Sequence, residues 1–255
     1  MNLHNKTLIV TGAASGIGAE LARLARFQGA TVIGVDRHEP QLTLDGFFQA
    51  DLGDPASIDA LVARLPSRVD ALCNIAGVPG TSPVQAVATV NYLGLRHLTQ
   101  AVLPRMSAGG SIVNVASVLG AQWPQRLELH KALAATHSFE AGQQWLAANP
   151  VEQASCYQYF KEALIVWSFQ QSQAWFRDHS VRINCVAPGP VFTPILGDFV
   201  SMLGPQRVAE DSQRMTRPAL ADEVAAVIAF LCSDAARWVN GVNLPVDGGL
   251  AATYV

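Results

Sequence analysis

The feature that most restricts the fold of this chain is a glycine-rich turn between a short apolar run and a helical pattern. Residues 7–10 are mostly apolar and lead directly into residues 12–18, which contain Gly12, Gly16 and Gly18. Glycine lets the backbone turn tightly and approach a ligand, while the free N–H groups at a helix start attract negative charge. The pattern predicts a strand, a turn and a helix arranged to bind a pyrophosphate.

A second apolar run, residues 31–35, ends at Asp36, eighteen positions after Gly18. A carboxylate at that place accepts hydrogen bonds from the hydroxyls of an adenosine ribose and repels a 2′-phosphate. The sequence therefore favours NAD over NADP as cofactor. Arg37 and His38 follow immediately and are able to bind a phosphate, so use of NADP as well stays open.

Short apolar runs alternate with longer helical patterns along the chain, which is typical of a parallel sheet covered by helices on both faces. The strands are predicted at residues 7–11, 31–36, 71–75, 111–116, 181–186 and 242–246. Apolar residues at helical spacing predict helices around 58–65, 84–107 and 224–231. The predicted fold is a single α/β domain with a Rossmann-type doubly wound parallel sheet over residues 1–255.

Tyr157 and Lys161 stand four positions apart, so on a helix they project from one face. A phenol has a pKa near ~10, and an ammonium group nearby favours the phenolate. The pair is therefore a candidate for proton transfer. The alternative for the two residues alone is a buried tyrosine beside a solvated lysine.

Several further motifs occur in a fixed order along the chain. They are residues 12–18, residues 74–77, Asn91, Ser117, Tyr157 with Lys161, residues 188–190 and residues 247–249. Together they resemble the short-chain dehydrogenase/reductase family over nearly the whole chain. The resemblance implies an NAD-dependent oxidoreductase that interconverts an alcohol and an aldehyde or ketone.

The resemblance also implies roles for four residues. Tyr157 would be the general acid and base, and Ser117 would orient the substrate oxygen. Lys161 would lower the pKa of the tyrosine and hold the nicotinamide ribose, and Asn91 would position a water that relays protons. A cofactor-binding regulator without turnover, the alternative from another class, has no need to keep these four residues together.

The family resemblance assigns the cofactor to residues along the same strand ends. They are Gly12, Ser15, Gly16, Ile17, Gly18, Asp36, Asp51, Leu52, Asn74, Ala76, Gly77, Tyr157, Lys161, Pro188, Gly189, Val191 and Thr193. Asp51 and Leu52 would lie beside the adenine, and Val191 and Thr193 beside the nicotinamide carboxamide.

Ser117 and Tyr157 are 40 positions apart, farther than in most of the family. Residues 122–150 carry an apolar helical pattern, which predicts an inserted, mostly helical segment at about 120–152. The insertion is either a lid over the substrate or an oligomer-interface element.

The aromatic residues near the site indicate a flat, apolar substrate, bound by Ser117, Trp123, Tyr157 and Phe192. The insertion resembles that of a branch of the family acting on 3α-hydroxysteroids and carbonyl compounds. Residues 74–80, 156–167 and 250–255 resemble instead a branch acting on coniferyl alcohol. The second resemblance is closer, so coniferyl alcohol is the expected substrate and a 3α-hydroxysteroid the alternative.

Composition restricts the partners and the compartment. With a formal net charge of −3 and 15% charged residues, the chain offers no basic stripe for nucleic acid or for anionic lipid. No apolar signal-type stretch precedes the first strand, and four widely spaced cysteines suit a reducing compartment, so we expect a cytoplasmic protein. Neither the cysteines nor the histidines have a metal-binding spacing, so no metal is expected.

In most of the family the helices that carry Asn91 and Tyr157 pair across a two-fold axis, and a second contact uses the C-terminal strand and the helix before it. The insertion precedes the Tyr157 helix, so it should obstruct or rebuild the first contact and leave the second, near residues 221–247, intact. We expect a homodimer. Its interface should be lined by Val224, Ile228, Val242 and Leu244 or their neighbours.

Overall fold

In the computed structural model, which describes residues 2–254, the chain folds around a seven-stranded parallel sheet with the strand order β3-β2-β1-β4-β5-β6-β9. These strands are β1 (Thr7–Thr11), β2 (Thr31–Asp36), β3 (Gly46–Gln49), β4 (Val69–Asn74), β5 (Met106–Val115), β6 (Arg182–Pro188) and β9 (Asn243–Val246). The two short strands β7 (Val191–Phe192) and β8 (Ala219–Leu220) form a separate parallel pair. The predicted doubly wound α/β fold is confirmed.

Helices cover both faces of the sheet. They are α1 (Gly16–Phe27), α2 (Pro55–Arg64), α3 (Val84–Ala88), α4 (Leu95–Val102), α5 (Leu127–Ala134), α6 (Phe139–Ala148), α7 (Cys156–His179), α8 (Leu196–Leu203), α9 (Pro205–Arg214) and α10 (Ala221–Cys232). Helices α1 and α10 pack together over one apolar core, and α2, α4 and α7 contribute to the other. Within residues 2–254, no helix combines the length and the apolar composition needed to cross a bilayer.

The first strand explains why the apolar runs show no alternation. Leu8 and Val10 belong to the core under α1 and α10, whereas Ile9 belongs to the core on the opposite face, and all three side chains are fully buried. A strand covered on both faces has no polar side. Because the strands are parallel, their carboxyl ends all lie at the same edge of the sheet.

Three details differ from the sequence-based expectations. The edge strand β3 was not predicted, because its four residues are mostly half-exposed and too few to give a clear pattern. Strand β5 begins at Met106, five residues before the predicted start. The long helix predicted at 84–107 is divided by a π-helical turn, Thr89–Gly94, between α3 and α4.

The proposed interface residues on α10 also require correction. Val224 and Ile228 are fully buried in the core between α10, α1 and the sheet, so neither side chain is free to meet a second copy. Only Val242 and Leu244 of that group keep partial exposure.

Two buried charged side chains attach the segment that carries α5 and α6 to the sheet domain. Glu162 of α7 accepts hydrogen bonds from Arg126 at 2.8 and 2.9 Å, and its carboxylate lies 2.8 Å from Nε2 of His130. Arg96 of α4 donates to the backbone oxygens of Leu133 and Ser138 at 3.1 and 3.0 Å. The segment therefore packs on α7 and α4 through ionic as well as apolar contacts.

Candidate active site

The carboxyl ends of the parallel strands bring the sequence-predicted residues to one edge of the sheet. Gly12 follows β1, Asp36 ends β2, Asn74 ends β4, Ser117 follows β5 and Gly189 follows β6. Two adjoining cavities lie along this edge, and Ile17, Gly77 and Thr193 border both. In doubly wound folds, ligands bind at this edge.

The glycine turn is held against the end of β4. Gly12 has φ +71°, and a Cβ there would lie 2.9 Å from the backbone nitrogen of Ala76. Side chains rarely adopt this conformation, and the clash is with backbone, so the position requires glycine. Asp36 fixes the turn from the other side, because its Oδ2 accepts a hydrogen bond from the Ala14 amide at 3.0 Å.

The first cavity is a groove beside this turn. Of the residues predicted for the cofactor, it is lined by Gly12, Ser15, Gly16, Ile17, Asp36, Asp51, Leu52, Ala76, Gly77 and Thr193. Arg37 and His38 lie at its rim near Asp36. Exposed turn backbone beside the start of α1, with an acid at the end of β2, fits a dinucleotide.

Two residues predicted for the cofactor lie outside both cavities. Gly18 is buried in α1, where a Cβ would lie 2.0 Å from the Gly12 carbonyl oxygen, so it permits close packing of the helix on the turn. Asn74 uses its amide nitrogen inside the fold, donating to Thr99 and Asn114 at 2.9 and 2.8 Å.

The second cavity joins the remaining predicted residues. Ser117, Tyr157 and Lys161 line it together with Pro188, Gly189 and Val191. The ammonium of Lys161 lies 5.6 Å from the centre of the Tyr157 ring and donates to the Val115 carbonyl oxygen at 2.6 Å. The three polar side chains that the sequence indicated for chemistry therefore share one pocket.

Asn91 does not line either cavity. It lies in the π-helical turn, and its side-chain amide both accepts from the Val78 N–H at 2.8 Å and donates to the Val78 carbonyl at 2.9 Å. Asn91 thereby fixes the backbone of the loop after β4, next to Gly77. π-Helical turns of this kind are frequent at functional sites.

Burial dominates the electrostatics of the Tyr157 and Lys161 pair. It raises the pKa of the Tyr157 phenol well above its usual range, while the neighbouring Ser117 hydroxyl acts in the opposite direction. Burial also lowers the pKa of Lys161 to about 8, so most of the lysine is still protonated at neutral pH. Both shifts arise because the charged forms lose contact with water.

The wall of the second cavity is largely apolar. Leu119 follows β5, and Leu196, Phe199 and Leu203 come from α8. The Phe199 ring meets the Tyr157 ring edge-on, with centroids 5.1 Å apart. Sequence reasoning did not identify the leucines, although positions 196, 199 and 203 have helical spacing and could have indicated one apolar face.

Two residues predicted to contact substrate are not brought into this cavity. Trp123 packs edge-on against Phe169 of α7, with centroids 5.5 Å apart. Phe192 is 50% exposed on β7. Closeness in sequence to Ser117 and to Gly189 suggested both, but neither is among the residues that line the cavity.

Comparison with known proteins identifies the family. A family model described as short chain dehydrogenase matches residues 6–128, and one described as Enoyl-(Acyl carrier protein) reductase matches residues 142–251. The chain belongs to the short-chain dehydrogenase/reductase family and is an oxidoreductase with a Rossmann NAD(P)-binding fold.

Three relatives are similar over nearly their full length. Coniferyl-alcohol dehydrogenase of Pseudomonas sp. (strain HR199 / DSM 7063) is 64% identical, with 100% of both chains covered. The 3-alpha-hydroxysteroid dehydrogenase/carbonyl reductase of Comamonas testosteroni is 31% identical, with 96% of each covered. A crystal structure of the 3-alpha-hydroxysteroid dehydrogenase from Pseudomonas sp. B-0831 complexed with NADH is 32% identical and has a TM-score of 0.82, with 98% of each chain covered.

Proposed function

We propose that this enzyme oxidises coniferyl alcohol to coniferyl aldehyde with NAD. The observation that carries the proposal is the 64% identity, over the full length of both chains, with a coniferyl-alcohol dehydrogenase. The second cavity suits such a substrate, because an apolar wall that includes Phe199 adjoins the polar groups of Ser117 and Tyr157. A ring with a conjugated side chain buries its apolar area there.

The residues of the cavity supply the proton chemistry. The substrate hydroxyl binds between the Ser117 hydroxyl and Oη of Tyr157, and Tyr157 accepts the hydroxyl proton as the carbonyl forms. Lys161 favours the phenolate by its charge and so opposes the effect of burial on the pKa of Tyr157, while the hydrogen bond to Val115 fixes the position of the lysine. NAD, which Gly12, Ser15 and Asp36 would help to hold in the groove, would supply the acceptor for the hydride of the carbinol carbon.

Asp36 supports the choice of NAD. Its carboxylate lines the groove at the end of β2, where an adenosine ribose would lie. We expect Asp36→Ala to weaken the binding of NAD and to raise the NADP/NAD ratio of kcat/KM. The substitution removes the repulsion of a 2′-phosphate, and Arg37 remains available to bind it. A wild-type enzyme that prefers NADP would contradict this assignment.

The substrate is tested by initial rates of NADH formation. Wild-type enzyme with NAD should oxidise coniferyl and cinnamyl alcohols with a higher kcat/KM than 3α-hydroxysteroids. A higher kcat/KM for the steroids would instead favour the activity named for the two relatives of 31 and 32% identity, 3α-hydroxysteroid dehydrogenase. Binding of NADH without turnover of any alcohol would support a regulator instead.

We further propose that the enzyme is a cytoplasmic homodimer. All four cysteines are buried free thiols. Cys73 and Cys232 form no disulfide, although their sulfur atoms lie 3.5 Å apart. Thiols that persist so close together suit a reducing compartment. The exposed Trp238, which precedes the edge strand β9, supports a dimer.

A further inference from the structure

Asp211 of α9 is among the residues that line the cavity that holds Ser117 and Tyr157. Among the residues that the structure describes, it is the one acidic side chain in the lining of this cavity. Asp211 is 6% exposed, although carboxylates are rarely buried without partners. It takes no part in the proton chemistry proposed above.

The partners of Asp211 leave part of its hydrogen-bonding capacity open. Oδ1 accepts a hydrogen bond from the Tyr254 hydroxyl at 2.7 Å. Oδ2 accepts no hydrogen bond from residues 2–254. It lies 3.8 Å from Nε of Arg207, whose side chain is 54% exposed. An ionised carboxylate has about four acceptor sites, so Asp211 is able to accept a further donor from the cavity.

We propose that Asp211 recognises the phenolic hydroxyl of a 4-hydroxycinnamyl alcohol, which makes it a residue that determines specificity. The inference rests on the proposed function and goes one step further, because it explains selection among aromatic alcohols. Such a substrate has one hydroxyl on its side chain, for Ser117 and Tyr157, and a second on the ring. Of the other two polar side chains of the lining, Lys161 donates to the Val115 carbonyl and Thr193 donates to the Val191 carbonyl.

A carboxylate such as that of Asp211 favours a phenol over a methyl ether or an unsubstituted ring. A phenol with a pKa near ~10 is protonated at neutral pH, and its O–H group forms a strong hydrogen bond with a carboxylate. A methyl ether at the same ring position has no proton to donate and places an oxygen against the negative charge. An unsubstituted ring leaves the carboxylate desolvated without a new partner.

The experiment compares coniferyl alcohol with cinnamyl alcohol and 3,4-dimethoxycinnamyl alcohol at saturating NAD. For wild-type enzyme, we expect kcat/KM for coniferyl alcohol to exceed the value for each analogue by about 10- to 100-fold. Asp211→Asn should reduce this preference to within about threefold, mainly through a higher KM for coniferyl alcohol. Oxidation of the two analogues should be retained or improved, because the unpaired charge that disfavours them is removed.

Two matched variants separate recognition from folding. Tyr254→Phe removes the hydrogen bond of the C-terminal segment but keeps the carboxylate, so the preference should persist. Asp198→Asn changes an acid of α8 that accepts from Thr81 outside the cavity lining, and it should also leave the preference intact.

Each outcome decides the proposal. If wild type oxidises all three alcohols equally well, the proposed function stands and the role of Asp211 is overturned. An equal loss for all three substrates in Asp211→Asn, or a loss of preference in Tyr254→Phe alone, would assign Asp211 a structural role only. If wild type oxidises none of the three, the proposed function fails together with this inference.

Discussion

At the scale of single residues, Tyr157 is the group on which the proposed chemistry depends. We expect Tyr157→Phe to lower kcat by about two to four orders of magnitude, because the variant keeps the ring but cannot accept the proton. Cofactor affinity, measured by titration with NADH, should change little. Activity within a few-fold of wild type would exclude Tyr157 as the base.

Tyr159 provides the control for that experiment. It lies two positions along α7, where its ring packs against His130 with centroids 4.7 Å apart and does not line the cavity. Tyr159→Phe should therefore remain active. A large loss in this variant would show that the packing of α7, and not proton transfer, limits the rate.

Lys161 illustrates how a functional residue lowers stability. Its pKa falls from 10.5 to about 8 on folding, so between these pH values the unfolded chain binds the proton more tightly than the folded protein does. The free energy of unfolding therefore rises as the pH increases from about 8 to 10.5. Below about pH 8 the lysine is charged in both states, and its burial destabilises the folded protein by about 3 kcal/mol.

We expect Lys161→Met to be inactive but more stable than wild type at neutral pH. Relief of the buried charge outweighs loss of the hydrogen bond to Val115, which leaves a net gain of about 1–2 kcal/mol. Urea denaturation without cofactor should show this gain at about pH 7 and a smaller one near pH 10. Lys131→Met, at a half-exposed position, should change stability little. A variant less stable than wild type at neutral pH would contradict the argument.

At the scale of elements, the described structure argues against the lid interpretation of the segment with α5 and α6. No residue from 121 to 155 lines the second cavity, whereas α8 contributes Leu196, Phe199 and Leu203. The segment is instead fastened to α7 by Glu162. Burial acts to raise the pKa of this carboxyl, but the hydrogen bonds from His130 and Arg126 hold it below its usual value.

Glu162→Gln tests this attachment. Removal of the charge leaves Arg126 and the buried His130 without their carboxylate, so we expect a loss of about 1–3 kcal/mol in urea unfolding. Hydrogen exchange should accelerate in α5, while the KM for the alcohol stays within about twofold. Glu128→Gln, in an exposed pair with Lys131, is the control and should cost little. A several-fold rise in KM would restore the lid interpretation.

The elements that could be predicted from sequence are those whose pattern follows from burial on both sides. Strand β1 and the helix after its glycine turn were predicted because apolar runs and glycines report directly on buried strands and tight turns. The edge strand β3 and the π-helical turn were not, because partial exposure and a single extra residue per turn leave no periodic signal.

The candidate site shows the same division. Positions tied to strand ends, such as Ser117 and Asp36, could be located because the topology places them together. Asp211 lies on a helix far along the chain, and only the tertiary structure brings it to the cavity lining. Trp123 is the converse case, since it is close to Ser117 in sequence but is not among the residues that line the cavity.

At the scale of the whole molecule, a second copy is expected to meet the region near the sheet edge formed by β9. This strand pairs with β6 on one side and has no neighbour on the other among the described strands. Trp238, which precedes it, is 86% exposed and packs edge-on against Phe176 of α7. Pro245 in β9 has no N–H to donate, so the contact depends on side chains more than on strand pairing.

We expect a C2 dimer in which Trp238 lies near the centre of an interface of about 800 Å² per subunit. Trp238→Glu should shift the mass measured by light scattering at micromolar concentration toward the monomer, because the charge would be buried against apolar surface. Phe27→Glu is the matched control, since Phe27 at the end of α1 is also an aromatic side chain with 87% exposure. A monomeric wild type would refute the dimer, and dissociation by Phe27→Glu alone would place the interface on α1.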